Sequence, residues 1–262
     1  MLSPRALLVP TLPTMLVDEH RGHRTPMLGA LAEQAARLKA EAPEVVVALS
    51  ASWESEGPFL VDVGRSHRTL TDYSGFGVEV RYDCNGHPAL ARELVAAGAK
   101  AGVRVAAVTR GVDSGVTVPL HFLLPGRALP VVPLSLADRA PEECRSWGQV
   151  LRRVLAARPE RIAFVVGGML SYHEHAWKLG REVPSGRAFD ERVLEAVGSG
   201  HWEAVRQRGS EEAERVRPQA GLRHLDLLHG FLSHDAVGRI ACYESSPGVG
   251  AALVEFTLDP PS

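Results

Sequence analysis

Short apolar runs recur along the chain, separated by longer stretches of helical character. Arg5 to Val9, Val45 to Leu49, Val103 to Val108, Val131 to Leu136 and Ile162 to Val166 are rich in β-branched residues, and several are apolar throughout instead of alternating. That pattern predicts strands covered by helices on both faces. Between them, Met27 to Ala40, His87 to Ala101, Pro141 to Ala157 and Phe189 to Arg206 carry apolar residues at helical spacing and are dominated by Ala, Leu, Arg and Glu. Pro88 at a first turn and Gly102 after a last one mark helix ends. Phe59 to Tyr82 is more broken and polar, which fits a hairpin or an arm over the sheet, and Val249 to Leu258 makes a last strand after the turn SSPG. There is no internal repeat, low-complexity segment or linker. Residues 1–262 are therefore expected to form one α/β domain with a mostly parallel central sheet and helices on both faces.

Composition narrows the partners. With 262 residues and 45% hydrophobic content the chain can bury a large core. The net charge of −2 comes from 29 basic and 31 acidic residues without a basic cluster, so nucleic acid is not an expected partner. The opening MLSPRALLVPTLPTML is broken by prolines and runs into the charged DEHRGHR, so no signal peptide is expected. No apolar run reaches the roughly 18 residues of a membrane span. The expected compartment is the cytoplasm, where Cys84, Cys144 and Cys242, far apart and in no CxxC pair, would be reduced thiols.

In α/β sheets ligands bind beyond the carboxyl ends of the strands. Here those loops are VPTLP from Val9, SASWES from Ser50, RGVDSGVTVPLHFLLP from Arg110 and GGMLSYHEH from Gly167. Trp53, Tyr73, Phe76 and Trp177 either line a cleft for an aromatic ligand or fill core, the second being favoured for Phe76 and Trp177. Arg110 could grip an anionic substituent or sit in an exposed ion pair. His173 and His175 flank Glu174 and with Asp226 could make a metal site, against the plainer alternative of surface or pocket-rim histidines. His20 and His23 lie in a Gly- and Pro-containing loop and are expected in solvent or at a pocket rim, while His121 is expected as a packed or capping residue. Ser52 and Ser114 stand in no GxSxG elbow, and the glycines lack the spacing that cradles phosphates.

The order VPxxP, SxxW, DxGxxVPL, PVVPLSL and GGxLS resembles that of the class III extradiol ring-cleaving dioxygenases, and DYSGFGVEVRYDCNGHPALA is similar to a further segment of them. The resemblance runs from Leu7 to about Leu258. It implies their fold, with Fe(II) held by two histidines and a carboxylate and with further histidines as acid, base and substrate contacts. By that placement Thr11, Ser52, Ser114 and Tyr172 stand where the family has histidines, and Asp226 where it has its carboxylate. Neutral hydroxyls are weak ligands for Fe(II). The resemblance therefore implies that the iron site is lost and no cofactor is held. The segments DSGVTVPL, VLEAVGSGHWEAV and VGAALVEF are similar to those of the non-catalytic α subunits of 2-aminophenol dioxygenases. A structural or regulatory subunit of a catalytic dioxygenase, or a homo-oligomer, is the expectation. The alternatives are an enzyme of aromatic catabolism with a metal moved to His173, His175 and Asp226, and a protein that binds an aromatic small molecule through Trp53, Tyr73 and Arg110.

Overall fold

The structure is a computed structural model describing residues 2–206, 210–232 and 234–258. Its strands are β1 (Leu2–Val9), β2 (Val45–Ser55), β3 (Phe59–Asp62), β4 (Ser66–His67), β5 (Cys84–Asn85), β6 (Val105–Val108), β7 (Val131–Ala137), β8 (Ile162–Gly167), β9 (Gly238–Ser246) and β10 (Val249–Thr257). Its helices are α1 (Thr14–His20), α2 (Pro26–Glu41), α3 (Pro88–Lys100), α4 (Ser114–Leu123), α5 (Pro141–Ala156), α6 (Glu174–Lys178), α7 (Gly186–Ser199), α8 (Trp202–Arg206), α9 (Ser210–Val216) and α10 (Arg223–Phe231).

Eight strands form one sheet in the order β6-β3-β7-β2-β8-β1-β10-β9. The four in the middle, β7, β2, β8 and β1, are mutually parallel. Antiparallel pairing enters only towards the edges, where β3 meets β7, β10 meets β1 and β9 meets β10. The central strands are mostly apolar, with consecutive apolar positions such as Val45 to Leu49 and Ile162 to Val166, because each face has its own helix layer. Along β2, Val45, Val47, Leu49 and Ala51 join the core under α3, α5, α7 and α10, while Val46 and Ala48 join the core under α1, α2 and α4. Strands β1 and β8 divide their side chains in the same alternating way. The expected α/β architecture is the one found.

Three local expectations are corrected. Strand β2 does not stop at Leu49 but runs to Ser55 through a bulge: Ser50 pairs with Ser135 and Glu54 with Leu136, leaving Ala51 to Trp53 outside the ladder with β7. The stretch Phe189 to Arg206 is two helices, α7 and α8, broken at Gly200, whose φ of 75° cannot continue a right-handed helix. The edge strand β9 was not expected, because GRIACYESS lacks alternation; a bulge beside Leu253 and Val254 shifts its pairing with β10. No helix among the described residues is long and apolar enough to cross a membrane.

Candidate functional site

The carboxyl ends of β1, β2 and β8 meet the amino end of α4 and the lead-in to α10. Glycines make that meeting possible. A Cβ on Gly167 would lie 1.8 Å from the Gly115 carbonyl oxygen, and one on Gly115 would lie 2.0 Å from Ser50 Oγ, so the first turn of α4 rests directly on the ends of β2 and β8. The bulge in β2 turns Ser52 out to solvent and buries Trp53. After β1, Thr11 is buried, and its N–H faces Met169 Sδ at 3.4 Å.

The polar groups here bond one another. Ser50 Oγ donates to Asp113 Oδ1 at 2.7 Å and accepts from the Ser52 N–H at 3.2 Å. Asp113 caps α4 by accepting from the Gly115 N–H, and its other oxygen accepts from Arg110 Nη1 at 2.9 Å. The Arg110 guanidinium lies over the Trp53 ring, 4.7 Å from its centroid. From the other side, Gln219 Nε2 donates to Ser52 Oγ at 3.3 Å while Gln219 Oε1 accepts from the Met169 N–H at 2.6 Å. Arg223 closes the rim by pairing with Glu54 at 2.6 Å and Asp138 at 3.0 Å.

The turn that carries Arg110 is clamped from beneath. Asp62, fully buried at the end of β3, accepts from the N–H groups of Arg110 and Gly111 at 2.9 and 2.8 Å. It also accepts from the Gly64 N–H at 2.8 Å and faces buried His67 Nδ1 at 3.3 Å. Burial raises its pKa, but these donors outweigh burial and hold it at about 2. The same clamp anchors the arm of residues 66–83, which is tied to the Arg110 turn again by a bridge between Thr69 and Val112. The arm brings Tyr73 into the core beside α4. Burial pushes that phenol up to about 12; the Thr71 and Thr117 hydroxyls oppose the rise and the Asp113 charge adds to it.

The structure thus brings together Thr11, Ser52, Trp53, Tyr73, Arg110 and Ser114, the last half-buried at the start of α4. Tyr172, His173, His175 and Asp226 lie apart. Asp226 faces α5 and α8, where Arg206 Nε at 3.2 Å and Arg145 Nη1 at 3.5 Å pair with it. His173 caps α6 by accepting from the Ala176 N–H, and lines with His175, Arg181 and Arg215 an open groove of about 430 Å³. The proposed union of His173, His175 and Asp226 is therefore not formed: the first two belong to one groove and the third to a buried ion cluster. Tyr172 is half-buried against Val249, and burial raises its phenol pKa, with the Glu174 charge adding to the rise. Among the described residues no three His, Cys, Asp or Glu side chains are grouped to hold a metal. Phe76 and Trp177 pack on each other at 6.1 Å and, half-buried, cover one of the apolar cores from outside. His121 lies in the last turn of α4 and pairs with Glu19 at 2.5 Å.

Gln219 and His224 escaped the sequence reading. His224 is fully buried on the first turn of α10, against Gly168 and Ala51, where a Cβ on Gly168 would come within 2.9 Å of its ring. Asp226, two residues on, is turned to the opposite side of that helix by the 100° step per residue. The string AGLRHLD holds both, and only the direction in which α10 docks decides between them.

A doubly covered sheet whose central parallel strands end in loops that meet a helix amino end defines an α/β architecture of the kind that binds ligands or cofactors beyond the carboxyl ends of its strands. The sequence profile of LigB, described as the catalytic LigB subunit of aromatic ring-opening dioxygenase, matches residues 6–254, and the chain belongs to this family. It is 28% identical over 221 residues to a dioxygenase, tasH, of Hapsidospora irregularis; the match takes in 77% of this chain and 64% of that protein, so it spans less than two thirds of the relative. It is 24% identical over 234 residues to a 4,5-DOPA dioxygenase extradiol of Beta vulgaris, covering 86% of this chain and 82% of the relative. A crystal structure of an uncharacterized Escherichia coli K12 protein superposes with a TM-score of 0.71 at 21% identity, covering 96% of this chain and 98% of that one, which is a likeness of fold.

The family fold implies Fe(II), and the side chains at the strand ends do not fit it. Thr11, Ser52 and Ser114 offer neutral hydroxyls, Asp113 has both oxygens engaged and is paired with the Arg110 guanidinium, and buried His224 is a single imidazole where the ligand set calls for two with a carboxylate.

Proposed function

We propose that this LigB-family chain does not cleave aromatic rings by itself and serves as the structural or regulatory subunit of a relative that carries the full ligand set. The observation that supports this is the closed polar network Arg110–Asp113–Ser50 and Ser52–Gln219–Met169, which spends its donors and acceptors on itself where ring cleavage needs open lone pairs converging on a metal. The fold around it is intact, so the strand-end loops remain available as a shaped surface for a partner.

Anaerobic loading with Fe(II) followed by elemental analysis tests the reading. Less than about a tenth of an equivalent is expected, since an intact site holds its metal strongly. Oxygen uptake with catechols is expected to stay at the background of the isolated chain, and to change when a catalytic relative with complete ligands is titrated with it. Near one equivalent of iron together with catechol-dependent oxygen uptake by the isolated chain would sink the proposal.

A further inference from the structure

The segment leading into α10 carries an unusual concentration of backbone strain. Arg217, Ala220, Gly221 and Leu222 have φ of 50°, 48°, 57° and 60°, so three of the six non-glycine residues with left-handed φ among the described residues fall within six positions. Each of the three non-glycine residues sets its Cβ against a carbonyl oxygen, and such conformations persist only where surrounding contacts over-determine them. Those contacts are present. The Tyr172 N–H donates to the Arg217 carbonyl at 2.9 Å, Ser171 bridges Pro218, Leu222 is fully buried, and Arg223 grips Glu54.

What this turn delivers is Gln219. Its backbone N–H donates to the Leu170 carbonyl at 2.9 Å, its Oε1 accepts from the Met169 N–H at 2.6 Å, and its Nε2 donates to Ser52 Oγ at 3.3 Å. One largely buried side chain thereby joins the loop after β8 to the bulge of β2. A metal ion ties loops by taking one ligand from each. We propose that Gln219 is the positioning residue that ties the β2 and β8 loops of this chain in place of a metal, and that Arg217, Ala220, Gly221 and Leu222 on either side of it are held left-handed to place it. The inference rests on the reading that no iron is held at these strand ends.

Amide hydrogen exchange of the full chain, read by NMR, tests it. In Gln219→Ala the Met169 amide is expected to exchange roughly five- to tenfold faster, the effect of losing one hydrogen bond of ordinary strength. Strand amides such as Val47 and Val165 are expected to keep their rates. Gln219→Glu retains the acceptor for Met169 but loses the donor to Ser52, so it is expected to restore Met169 protection while the Ser52 amide of the β2 bulge, released from the tie in both variants, exchanges faster than in the wild type. Unchanged exchange at Met169 in Gln219→Ala, or lost protection in Gln219→Glu, would overturn the proposal; the near-isosteric glutamate variant decides the matter if the alanine variant does not fold. Iron uptake in the loading experiment would defeat the functional reading, whereas the Met169 result bears on Gln219 alone.

Discussion

Asp62 shares one buried carboxylate among the N–H groups of Gly64, Arg110 and Gly111 and the Nδ1 of His67. Its folded pKa of about 2 lies below the unfolded value of 3.8. A depressed carboxylate stabilises the fold above the unfolded pKa, and that contribution is lost as pH falls through the folded one. Asp62→Asn is therefore expected to cost roughly 2 kcal/mol near neutral pH, with the gap to the wild type closing between about pH 4 and pH 2. Urea unfolding at a series of pH values measures this; a gap that stays constant down to pH 2 would assign the loss to shape and not to charge. The same substitution loosens the turn that sets Arg110 over Trp53, so a residue outside the site governs one within it.

Helices α5 and α10 pass close enough that only glycine fits where they touch. A Cβ on Gly148 would lie 2.1 Å from the Leu227 carbonyl oxygen, and one on Gly230 would lie 2.1 Å from that of Arg145. Helix propensity alone says that alanine in place of glycine gains about 1 kcal/mol. At this crossing packing dominates, and Gly230→Ala is expected to destabilise by about 1–3 kcal/mol. Gly29, exposed on α2 with nothing within 4 Å of its would-be Cβ, supplies the control. Gly29→Ala is expected to stabilise by up to about 1 kcal/mol. Denaturant midpoints of the two variants should move in opposite directions; a shared direction would refute the close crossing. The crossing matters for the site because it orients α10, placing His224 under the strand ends and Asp226 between Arg145 and Arg206.

The sheet separates two apolar cores and belongs to both, since alternate residues of β1, β2 and β8 enter opposite ones. Neither core can lose its helices without exposing one face of the same strands. Calorimetry is expected to give one cooperative transition with equal calorimetric and van't Hoff enthalpies. Two resolved transitions would mean that the helix layers unfold separately. At this scale the chain has the single α/β sheet expected of its family, matched by the family profile over residues 6–254.

Much of this was legible in the order of residues. Five apolar runs became β1, β2, β6, β7 and β8; for all but the half-buried edge strand β6, burial on both faces leaves a signature that needs no distant partner. The strand-end motifs likewise marked Thr11, Ser52 and Trp53 as neighbours, because β1 and β2 lie parallel on either side of β8 and their loops emerge at the same end, whereas the loop of Arg110 and Ser114 follows β6, which runs against the central strands, and reaches that end only through the bond of Asp113 to Ser50. Other features depended on contacts made across the chain. The bulge that turns Ser52 outward exists only in the pairing of β2 with β7. The left-handed turn that delivers Gln219 runs against local preference at Arg217, Ala220 and Leu222 and is imposed by tertiary contacts. The choice of His224 over Asp226 is made by the docking of α10. Local sequence determines periodicity and chain order, whereas the direction of a side chain on a packed helix is set by what the helix packs against.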